Sequence, residues 1–403
     1  MTMPAERNGL HCFVEPSVAM RGAEGGPLNA VDFVVKDLVD LAGHVSSFGH
    51  GVWRDTHVAA VTTTPIVARL LDAGANLVGA TKLDQLAYSL TGDLGEGAPP
   101  RNIGLAGSFC GGSSSGTASA VAGGVAEFGI GTDTAGSTRV PAALCGLFGL
   151  RPTHGVLDAT GVIPLAPSFD TLGLLARDIE TLSTVYGVLE ADTCAPWRGR
   201  SPRASGVLVA AGPFGSSVES ARPIVAAAAA RLADRWGVPA QRLDVSEAAD
   251  EAAGELLVRM MSREVWARHG DWVEEHGEAL TPEVRDRLLR ARRFTADPPD
   301  VVGHDAKRRT SLGARICEWL AGGHVLVMPV ASPEGLALTA TATQRQRFRI
   351  DALRLNALAG LSGAPEVVVP FEHAGRRAGV GLIASRGSDQ LLLAAASALS
   401  RAQ

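Results

Sequence analysis

The sequence predicts an α/β fold, and two observations carry this prediction. Short apolar runs typical of buried strands alternate along the chain with longer segments whose apolar residues recur at helical spacing. Hydrophobic residues occupy 46% of the 403 positions, against 20% for charged residues, so the chain can fill a large core. This composition excludes a globally disordered chain.

The first elements of the chain alternate in type. A short strand at 31–35 leads directly into Lys36. Apolar residues at helical spacing then predict a helix over 57–73, followed by a buried strand at 76–80 and a helix at 83–90. Lys36 therefore stands at the end of an apolar strand, where burial is expected.

Small residues dominate the next segment. Glycine and serine fill the loop at 107–116, and a closely packed helix of small residues is expected at 117–122. A strand at 125–131 and a polar turn at 133–139 follow, and Pro141 stands in the first turn of the next helix. This part of the chain therefore contains two small-residue loops separated by one helix and one strand.

The second half continues the alternation after a stretch rich in proline and arginine at 191–205, which is the best candidate for a linker. The predicted strands lie at 207–211, 325–329, 366–370 and 379–384, and the predicted helices lie at 218–236, 247–293 and 389–400. The length suits either two domains or one large α/β unit.

Charge and cysteine content exclude several classes of function. The chain carries 37 basic and 42 acidic residues, for a net charge of −5, and no basic stretch suits a phosphate backbone, so nucleic acid is not expected as a partner. The cysteines lack the even count of a disulfide framework and the CxxC spacing of a structural zinc site. They stand singly at Cys12, Cys110, Cys145, Cys194 and Cys317.

The N-terminal segment does not have the continuous apolar core of a signal peptide. No run reaches the roughly 18 apolar residues of a membrane span. We therefore expect a cytoplasmic protein that does not enter a membrane.

The candidate chemistry combines a lysine with the two serine-containing loops. Only three of the 37 basic residues are lysines, at Lys36, Lys82 and Lys307. A serine hydroxyl is a weak nucleophile unless a base takes its proton, and a lysine can be that base when burial lowers its pKa. Because Lys36 follows an apolar strand, it is the candidate base.

The second loop can also stabilise a negatively charged oxygen. Attack on a carbonyl produces an oxyanion, which consecutive backbone N–H groups in a glycine-containing turn before a helix can bind. The predicted oxyanion hole consists of the N–H groups of Thr134, Ala135, Gly136 and Ser137.

These residues lie in three segments that resemble the amidase-signature family. The segments agree with the family in order and rough spacing: Gly-Pro-Leu at 26–28 through Val-Val-Lys-Asp at 34–37, Gly-Gly-Ser-Ser-Ser-Gly at 111–116, and the turn at 131–142. The resemblance implies a large twisted mixed β-sheet covered by helices on both faces.

The family resemblance also implies the organisation of the chain and the roles of the site residues. It implies a single domain over 1–403, with a signature region at about 27–178 and a variable substrate-side region at about 247–349. Ser137 would be the acylated nucleophile, Ser113 the proton relay after a cis Gly112–Ser113 bond, and Lys36 the terminal base. The supporting residues would be Ser114, Asp133 and Arg139, with Lys82 outside the triad.

The implied activity is hydrolysis of a small amide to a carboxylate and ammonia, without a metal or cofactor, and a homodimer is left open. The segments 148–155 and 168–171 look most similar to indole-acetamide hydrolases, which favours an aryl- or indole-acetamide substrate. The Ala135-Gly136-Ser137 turn is similar to that of allophanate hydrolases, so a ureido-acid hydrolase is the alternative. A non-catalytic receptor or scaffold and an amidotransferase subunit are further alternatives on the same fold.

Other nucleophiles fit part of the pattern. Gly-Ser-Ser-Ser-Gly at 112–116 matches the nucleophile elbow of α/β-hydrolases, with Ser114 as nucleophile, but 104–111 is not the apolar strand that an elbow requires. Cys110 and Cys145 fit a nitrilase-like site less well than they fit small buried hydrophobic positions. The set of Lys36 and two serines 24 positions apart is therefore favoured.

Overall fold

The computed structural model describes residues 9–15, 18–190, 203–212, 214–215 and 217–400, so most of the predicted linker at 191–205 lies outside the described residues. The strands within these ranges are β1 (Asp32–Lys36), β2 (Asn76–Thr81), β3 (Phe128–Asp133), β4 (Phe148–Arg151), β5 (Thr171–Ala176), β6 (Gly206–Ala211), β7 (Ala240–Asp244), β8 (His324–Pro329), β9 (Glu366–His373) and β10 (Arg376–Ile383). The α-helices are α1 (Gly51–Thr56), α2 (Pro65–Asp72), α3 (Ser115–Ala122), α4 (Arg139–Cys145), α5 (Ile179–Glu190), α6 (Arg222–Trp236), α7 (Ser246–Ala249), α8 (Glu251–His276), α9 (Pro282–Phe294), α10 (Pro299–Trp319), α11 (Ala342–Ser362) and α12 (Asp389–Ser400).

One mixed sheet joins the described strands in the order β2-β1-β3-β5-β4-β9-β10-β8-β6-β7. The strand pairs at both ends of the sheet are parallel. The pairs from β3 across to β8 are antiparallel. This large mixed sheet, with helices between its strands in sequence, confirms the predicted α/β fold.

The neighbouring strands β1 and β3 position the candidate site. Phe33 and Phe128 are aligned in the parallel register and stack with their ring centroids 5.2 Å apart. Every residue of β3 is buried, as is typical of strands covered on both faces. Since parallel strands end at the same edge of a sheet, Lys36 at the end of β1 comes next to the end of β3.

The helix predicted over 57–73 is wrong in extent. It begins only at Pro65, in the first turn of α2, where the Thr64 hydroxyl caps the N-terminus. The residues before Thr64 carry apolar side chains at helical spacing but do not continue the helix, and Val61 is almost fully exposed. The N-cap and the proline are therefore better indicators of this boundary than the apolar spacing.

The helix predicted over 83–90 is also wrong. The segment contains a single 3₁₀ turn, Gln85–Ala87, in which Leu86 and Ala87 adopt positive φ angles of 51° and 53°. Non-glycine residues rarely adopt this conformation, and an α-helix cannot contain it. The segment instead forms a buried loop against the glycine- and serine-rich loop.

The long helices lie in the second half of the chain. The helical stretch predicted over 247–293 consists of α7, α8 and α9, and Asp250 caps α8 by accepting a hydrogen bond from the Ala253 N–H over 2.7 Å. Within the part of the chain that the structure describes, no helix combines the length and the hydropathy needed to cross a membrane.

Helix α11 is the most consequential element that the sequence did not predict. All residues from Asp351 to Leu361 are buried, including three polar ones, Asp351, Arg354 and Asn356. A helix enclosed by protein has no polar face, so its sequence shows no amphipathic period. The structure places this helix directly against the candidate site.

Candidate active site

Lys36 lies at the carboxyl end of β1 with its side chain fully buried. Its Nζ donates hydrogen bonds to Ser113 Oγ over 2.7 Å and to Thr132 Oγ1 over 2.9 Å. Burial lowers the pKa of Lys36 to about 7, although nearby carboxylates, of which Asp84 acts most strongly, favour the charged amine. A substantial fraction of the amine is therefore neutral near neutral pH, as a catalytic base requires.

Ser113 is fully buried in the loop that precedes α3. The Gly112–Ser113 peptide bond is cis, as predicted. The Ser113 carbonyl accepts a hydrogen bond from the Asp84 N–H over 3.3 Å, and Ser114 donates its N–H to the Ser137 carbonyl over 3.1 Å. The main chain thus joins the two serine-containing loops at the predicted site.

Ser137 lies in the turn between β3 and α4 and is 4% exposed. Its hydroxyl borders a pocket and makes no hydrogen bond with any residue that the structure describes. The Ser113 and Ser137 hydroxyls are therefore not directly bonded here, and such contacts commonly tighten only when substrate binds. The structure brings Lys36 and Ser113 into contact, and Ser137 lies at the pocket with its carbonyl bonded to the N–H of Ser114, the residue after Ser113.

Asp133 at the end of β3 shapes the turn around Ser137. Its carboxylate accepts hydrogen bonds from the N–H groups of Gly136 over 2.9 Å, Thr138 over 3.2 Å and Arg139 over 3.2 Å. Gly136 has a φ of +117°, and a Cβ at this position would lie 2.9 Å from Asn356 Cγ on α11. The turn therefore requires glycine at 136, for both conformation and space.

These contacts change the predicted oxyanion hole. The Gly136 N–H already donates to the Asp133 carboxylate, so this donor is occupied in the structure, and we remove Gly136 from the predicted set. A hydrogen-bond donor cannot serve a developing oxyanion while it holds the turn together. The N–H groups of Thr134, Ala135 and Ser137 stay as the predicted oxyanion hole.

Asp133 belongs to a cluster of four buried charged side chains, the others being Arg139, Arg151 and Glu366. Arg139 donates to the Asp133 carboxylate from Nε over 2.9 Å and from Nη2 over 2.8 Å, and its Nη1 donates to Glu366 on β9 over 2.5 Å. Arg151 on β4 donates to the same Asp133 carboxylate over 3.1 Å. Burial alone would raise the pKa of Asp133, but the two guanidinium groups hold it well below its usual range. The predicted supporting residues Asp133 and Arg139 thus form the core of this cluster.

Sequence reasoning missed three residues of the site: Thr132, Arg151 and Glu366. Glu366 offered a usable indication, because it opens the apolar run Glu-Val-Val-Val-Pro and a carboxylate at the start of a buried strand requires a buried partner. Thr132 is a strand residue whose contact with Lys36 depends on the register of β1 and β3. No local pattern could have shown this contact.

The structure argues against the other nucleophiles. Ser114 Oγ donates to the Thr132 carbonyl over 3.4 Å and has no base beside it among the described residues. Hydrogen bonding with Cys110, together with burial, raises the pKa of Cys145 well above its ordinary value, which disfavours a reactive thiolate.

Lys82 Nζ donates to a backbone carbonyl over 3.2 Å, away from the triad. Within the described ranges, no cluster of His, Cys, Asp and Glu could hold a metal ion.

A small pocket borders Ser137. Its lining is mostly apolar and includes one charged side chain, Arg349 of α11. The lining residues are Ala87, Tyr88, Ser89, Leu90, Thr134, Ala135, Ser137, Leu165, Met261, Arg349 and Leu353. A cavity of about 370 Å³ shares Ala87, Thr134 and Leu165 with this pocket, so the two spaces adjoin at the turn that contains Ser137.

In this mixed sheet a buried lysine contacts one serine, and a second serine lies at a pocket. This arrangement is expected of a serine-based amide hydrolase. The family model described as Amidase matches residues 15–204. Amidase 1 of Oryza sativa subsp. japonica is 34% identical over 394 residues, which cover 91% of this chain and 89% of that protein. The chain therefore belongs to the amidase family and is an amide-hydrolysing enzyme.

Two further proteins are similar in sequence or structure. The 1-carboxybiuret hydrolase subunit AtzE of Pseudomonas sp. (strain ADP) is 39% identical over 170 residues, which cover 42% of this chain and 37% of that protein. A crystal structure of an amidase superposes with a TM-score of 0.79 at 25% identity and covers 94% of this chain and 85% of that one. The amidase-signature fold expected from the sequence is thereby confirmed.

Proposed function

We propose that Ser137, Ser113 and Lys36 form the catalytic triad with which this amidase converts a small amide to a carboxylate and ammonia. The observation that carries the proposal is the 2.7 Å hydrogen bond between Lys36 Nζ and Ser113 Oγ in a fully buried setting. A lysine whose burial lowers its pKa to about 7 can accept a proton at neutral pH, which an exposed lysine cannot do.

Acylation begins when the Ser137 oxygen attacks the amide carbonyl. The Ser137 proton passes to Ser113 Oγ while the Ser113 proton passes to the neutral Lys36 amine. The proton then returns through Ser113 to the leaving nitrogen, so that the C–N bond breaks, ammonia departs and an ester on Ser137 remains. The three catalytic groups thus act as nucleophile, relay and base in one connected path.

Deacylation follows the same path with water as the nucleophile. Water gives its proton through Ser113 to Lys36 as it attacks the ester carbonyl, and the proton then returns to Ser137 as the carboxylate leaves. In both steps the N–H groups of Thr134, Ala135 and Ser137 would stabilise the oxyanion. Losing one such donor typically costs about 3–4 kcal/mol of transition-state stabilisation.

Single substitutions in the triad test this proposal. We expect Ser137→Ala, Ser113→Ala and Lys36→Met each to reduce ammonia release by about three orders of magnitude or more, because each removes a group in one proton path. The matched control is Lys82→Met, which removes a lysine outside the site and should keep the wild-type rate. Initial rates of ammonia release on a small-amide panel are the measurement.

The same activity measurements distinguish Ser137 from Ser114, the rival candidate nucleophile. Wild-type activity in Ser137→Ala, with loss of activity in Ser114→Ala instead, would contradict the proposal. It would favour the nucleophile elbow of α/β-hydrolases, with Ser114 as the nucleophile. Mass spectrometry of the enzyme mixed with a slowly deacylating amide should show an acyl adduct on the peptide that contains Ser137, and its appearance on any other peptide would contradict the assigned nucleophile.

Two classes of substrate are candidates. Aryl- or indole-acetamides are favoured by the segments at 148–155 and 168–171, and ureido acids by the Ala135-Gly136-Ser137 turn. The similarity to a protein named 1-carboxybiuret hydrolase subunit adds support for the ureido class. Ammonia release over indole, phenyl, aliphatic and ureido amides by the purified single chain distinguishes the classes, and a requirement for a co-purifying subunit would favour an amidotransferase.

A further inference from the structure

Arg349 has an unusual position for an arginine. It lies in the middle of α11, is only 9% exposed, and lines the same pocket as Ser137. Leu353, one helical turn further along the same face, lines that pocket as well. Arg349 is therefore held on a rigid helix at the border of the pocket that Ser137 also lines.

Among the described residues, the Arg349 guanidinium makes neither a hydrogen bond nor an ion pair. The other buried arginines of the site are paired: Arg139 and Arg151 with Asp133, and Arg287 with the Tyr88 carbonyl over 3.4 Å. Buried charged groups are normally paired, because an unpaired one loses its hydration without compensation. Arg349 is thus the exception at this site.

The surroundings of Arg349 are also electropositive. Arg287 and Arg290 lie close enough to disfavour its charged form, and the Tyr88 hydroxyl beside it bonds to Ser262 Oγ over 2.8 Å. Burial, together with these two arginines, lowers the pKa of Arg349 to about 9, so the guanidinium still carries its charge at neutral pH. The pocket therefore combines mostly apolar walls with one positive charge, that of Arg349.

We infer that Arg349 binds a carboxylate on the substrate, and that this amidase acts on short amides or ureas that carry an anionic group. A guanidinium presents two parallel N–H donors that match a carboxylate, and this pairing is strongest where water is excluded. The inference rests on the proposed function, because it takes Ser137 as the acylated residue. It favours acidic substrates of the ureido-acid type over neutral aryl-acetamides.

Matched substrates test the inference. Succinamate and butyramide share the same amide and a similar chain, but only succinamate ends in a carboxylate; N-carbamoylglycine and propylurea form a second pair. We expect wild-type enzyme to have the higher kcat/KM on the anionic member of at least one pair. Arg349→Met should reduce kcat/KM for that member about 10–100-fold, the range of one charge-assisted hydrogen-bonded contact, and should leave the neutral member nearly unchanged.

Two further variants control for charge and for folding. Arg349→Lys keeps the positive charge but lacks the two parallel N–H donors of the guanidinium. Its kcat/KM on the anionic amide should therefore lie between the values of wild type and Arg349→Met. Arg293→Met removes an exposed arginine of α9 that makes no ion pair with the described residues, and it should leave both substrates unaffected. Equal losses on anionic and neutral amides in Arg349→Met would assign Arg349 a structural role and overturn the inference.

A binding measurement separates this inference from the proposed triad. Ser137→Ala protein, which cannot be acylated at 137, should still bind succinamate or N-carbamoylglycine in a calorimetric titration, and adding Arg349→Met should weaken that binding about 10–100-fold. Absence of binding by both acids overturns the role of Arg349 whether or not the triad holds. Full activity of Ser137→Ala, with carboxylate binding that depends on Arg349, would overturn the triad and leave the binding site in place.

Discussion

Burial sets the chemistry of Lys36 at the scale of a single residue. Its side chain is fully buried, and among the described residues its amine hydrogen-bonds only to two hydroxyl oxygens, Ser113 Oγ and Thr132 Oγ1. Removing water from a lysine penalises its charged form, and the surrounding carboxylates do not fully offset that penalty. Lys36 can therefore exchange a proton in the range where the enzyme would work.

The pH dependence of the reaction follows from this pKa. Lys36 is protonated and inactive below about pH 7, so kcat/KM should rise about tenfold per pH unit well below that value and level off above it. The measurement is the pH profile of kcat/KM with a neutral amide, whose own charge does not change. A profile that is flat from acid to neutral pH, with chemistry rate-limiting, would count against Lys36 as the base.

Single residues also show how far the sequence could predict the site. Lysine occurs at only three positions, so a lysine after an apolar strand was conspicuous, and its contact with Ser113 agrees with the prediction. Arg349 is one of 34 arginines (37 basic residues less three lysines) and belongs to no motif. That it makes no hydrogen bond or ion pair with the described residues is a property of the packed structure, which no local pattern could show.

At the scale of elements, helix α11 positions two residues at the candidate site. It places Asn356 against Gly136 in the nucleophile turn and, two helical turns earlier, Arg349 in the pocket. Asn356 Nδ2 donates to the Val330 carbonyl over 3.0 Å and to the Ala352 carbonyl over 2.8 Å, which fixes the side chain that faces Gly136. One rigid element therefore supports both the nucleophile and the candidate carboxylate site.

Gly136→Ala tests the contact between the turn and α11. The added Cβ would meet Asn356 Cγ at 2.9 Å, and the φ of +117° is strained for alanine, so we expect a loss of about 1–3 kcal/mol in the free energy of unfolding and a large fall in kcat. Gly187→Ala on α5, where a Cβ meets nothing within 4 Å, should instead stabilise the protein by about 0.5–1 kcal/mol. Urea unfolding and ammonia release measure the two effects, and equal behaviour of the variants would contradict the close contact.

Elements were predictable from the sequence where apolar runs, small residues or helix ends marked them. The strands β1 and β2 and helix α3 lie close to their predicted positions because apolar runs and small residues mark them. Helix α11 was missed because its apolar residues follow no amphipathic period and no run of small residues marks it. The segment at 83–90 was mistaken for a helix because the positive φ angles of Leu86 and Ala87 arise from packing rather than from residue type.

At the scale of the whole molecule, the buried charges join distant parts of the chain. Arg139 and Glu366 are 227 positions apart, yet their side chains lie 2.5 Å from each other and both are buried. Arg139 also donates to the Asn356 carbonyl over 3.3 Å, so β9 and α11 both contact the residue that supports the nucleophile turn. Pairings over such separations depend on the sheet order, which the sequence alone did not predict.

Glu366→Gln tests how much this connection stabilises the protein. Removing one charge from a buried ion-pair cluster leaves the other charges poorly compensated, so we expect a loss of about 3–5 kcal/mol in the free energy of unfolding. Glu372→Gln on the same strand, which breaks an exposed pair with Arg377 at 3.6 Å, should cost at most about 1 kcal/mol. Urea unfolding at neutral pH measures both, and a small effect at 366 would show that the cluster positions the turn without stabilising the fold.

The Arg139–Glu366 contact also bears on when the enzyme becomes active during its synthesis. Lys36, Ser113 and Ser137 leave the ribosome early, but the carboxylate that completes the support of their turn belongs to β9 and is translated more than two hundred residues later. A nascent chain is therefore expected to carry every reacting group and still be inert. Its catalytic power would arise only once the C-terminal strands add to the sheet.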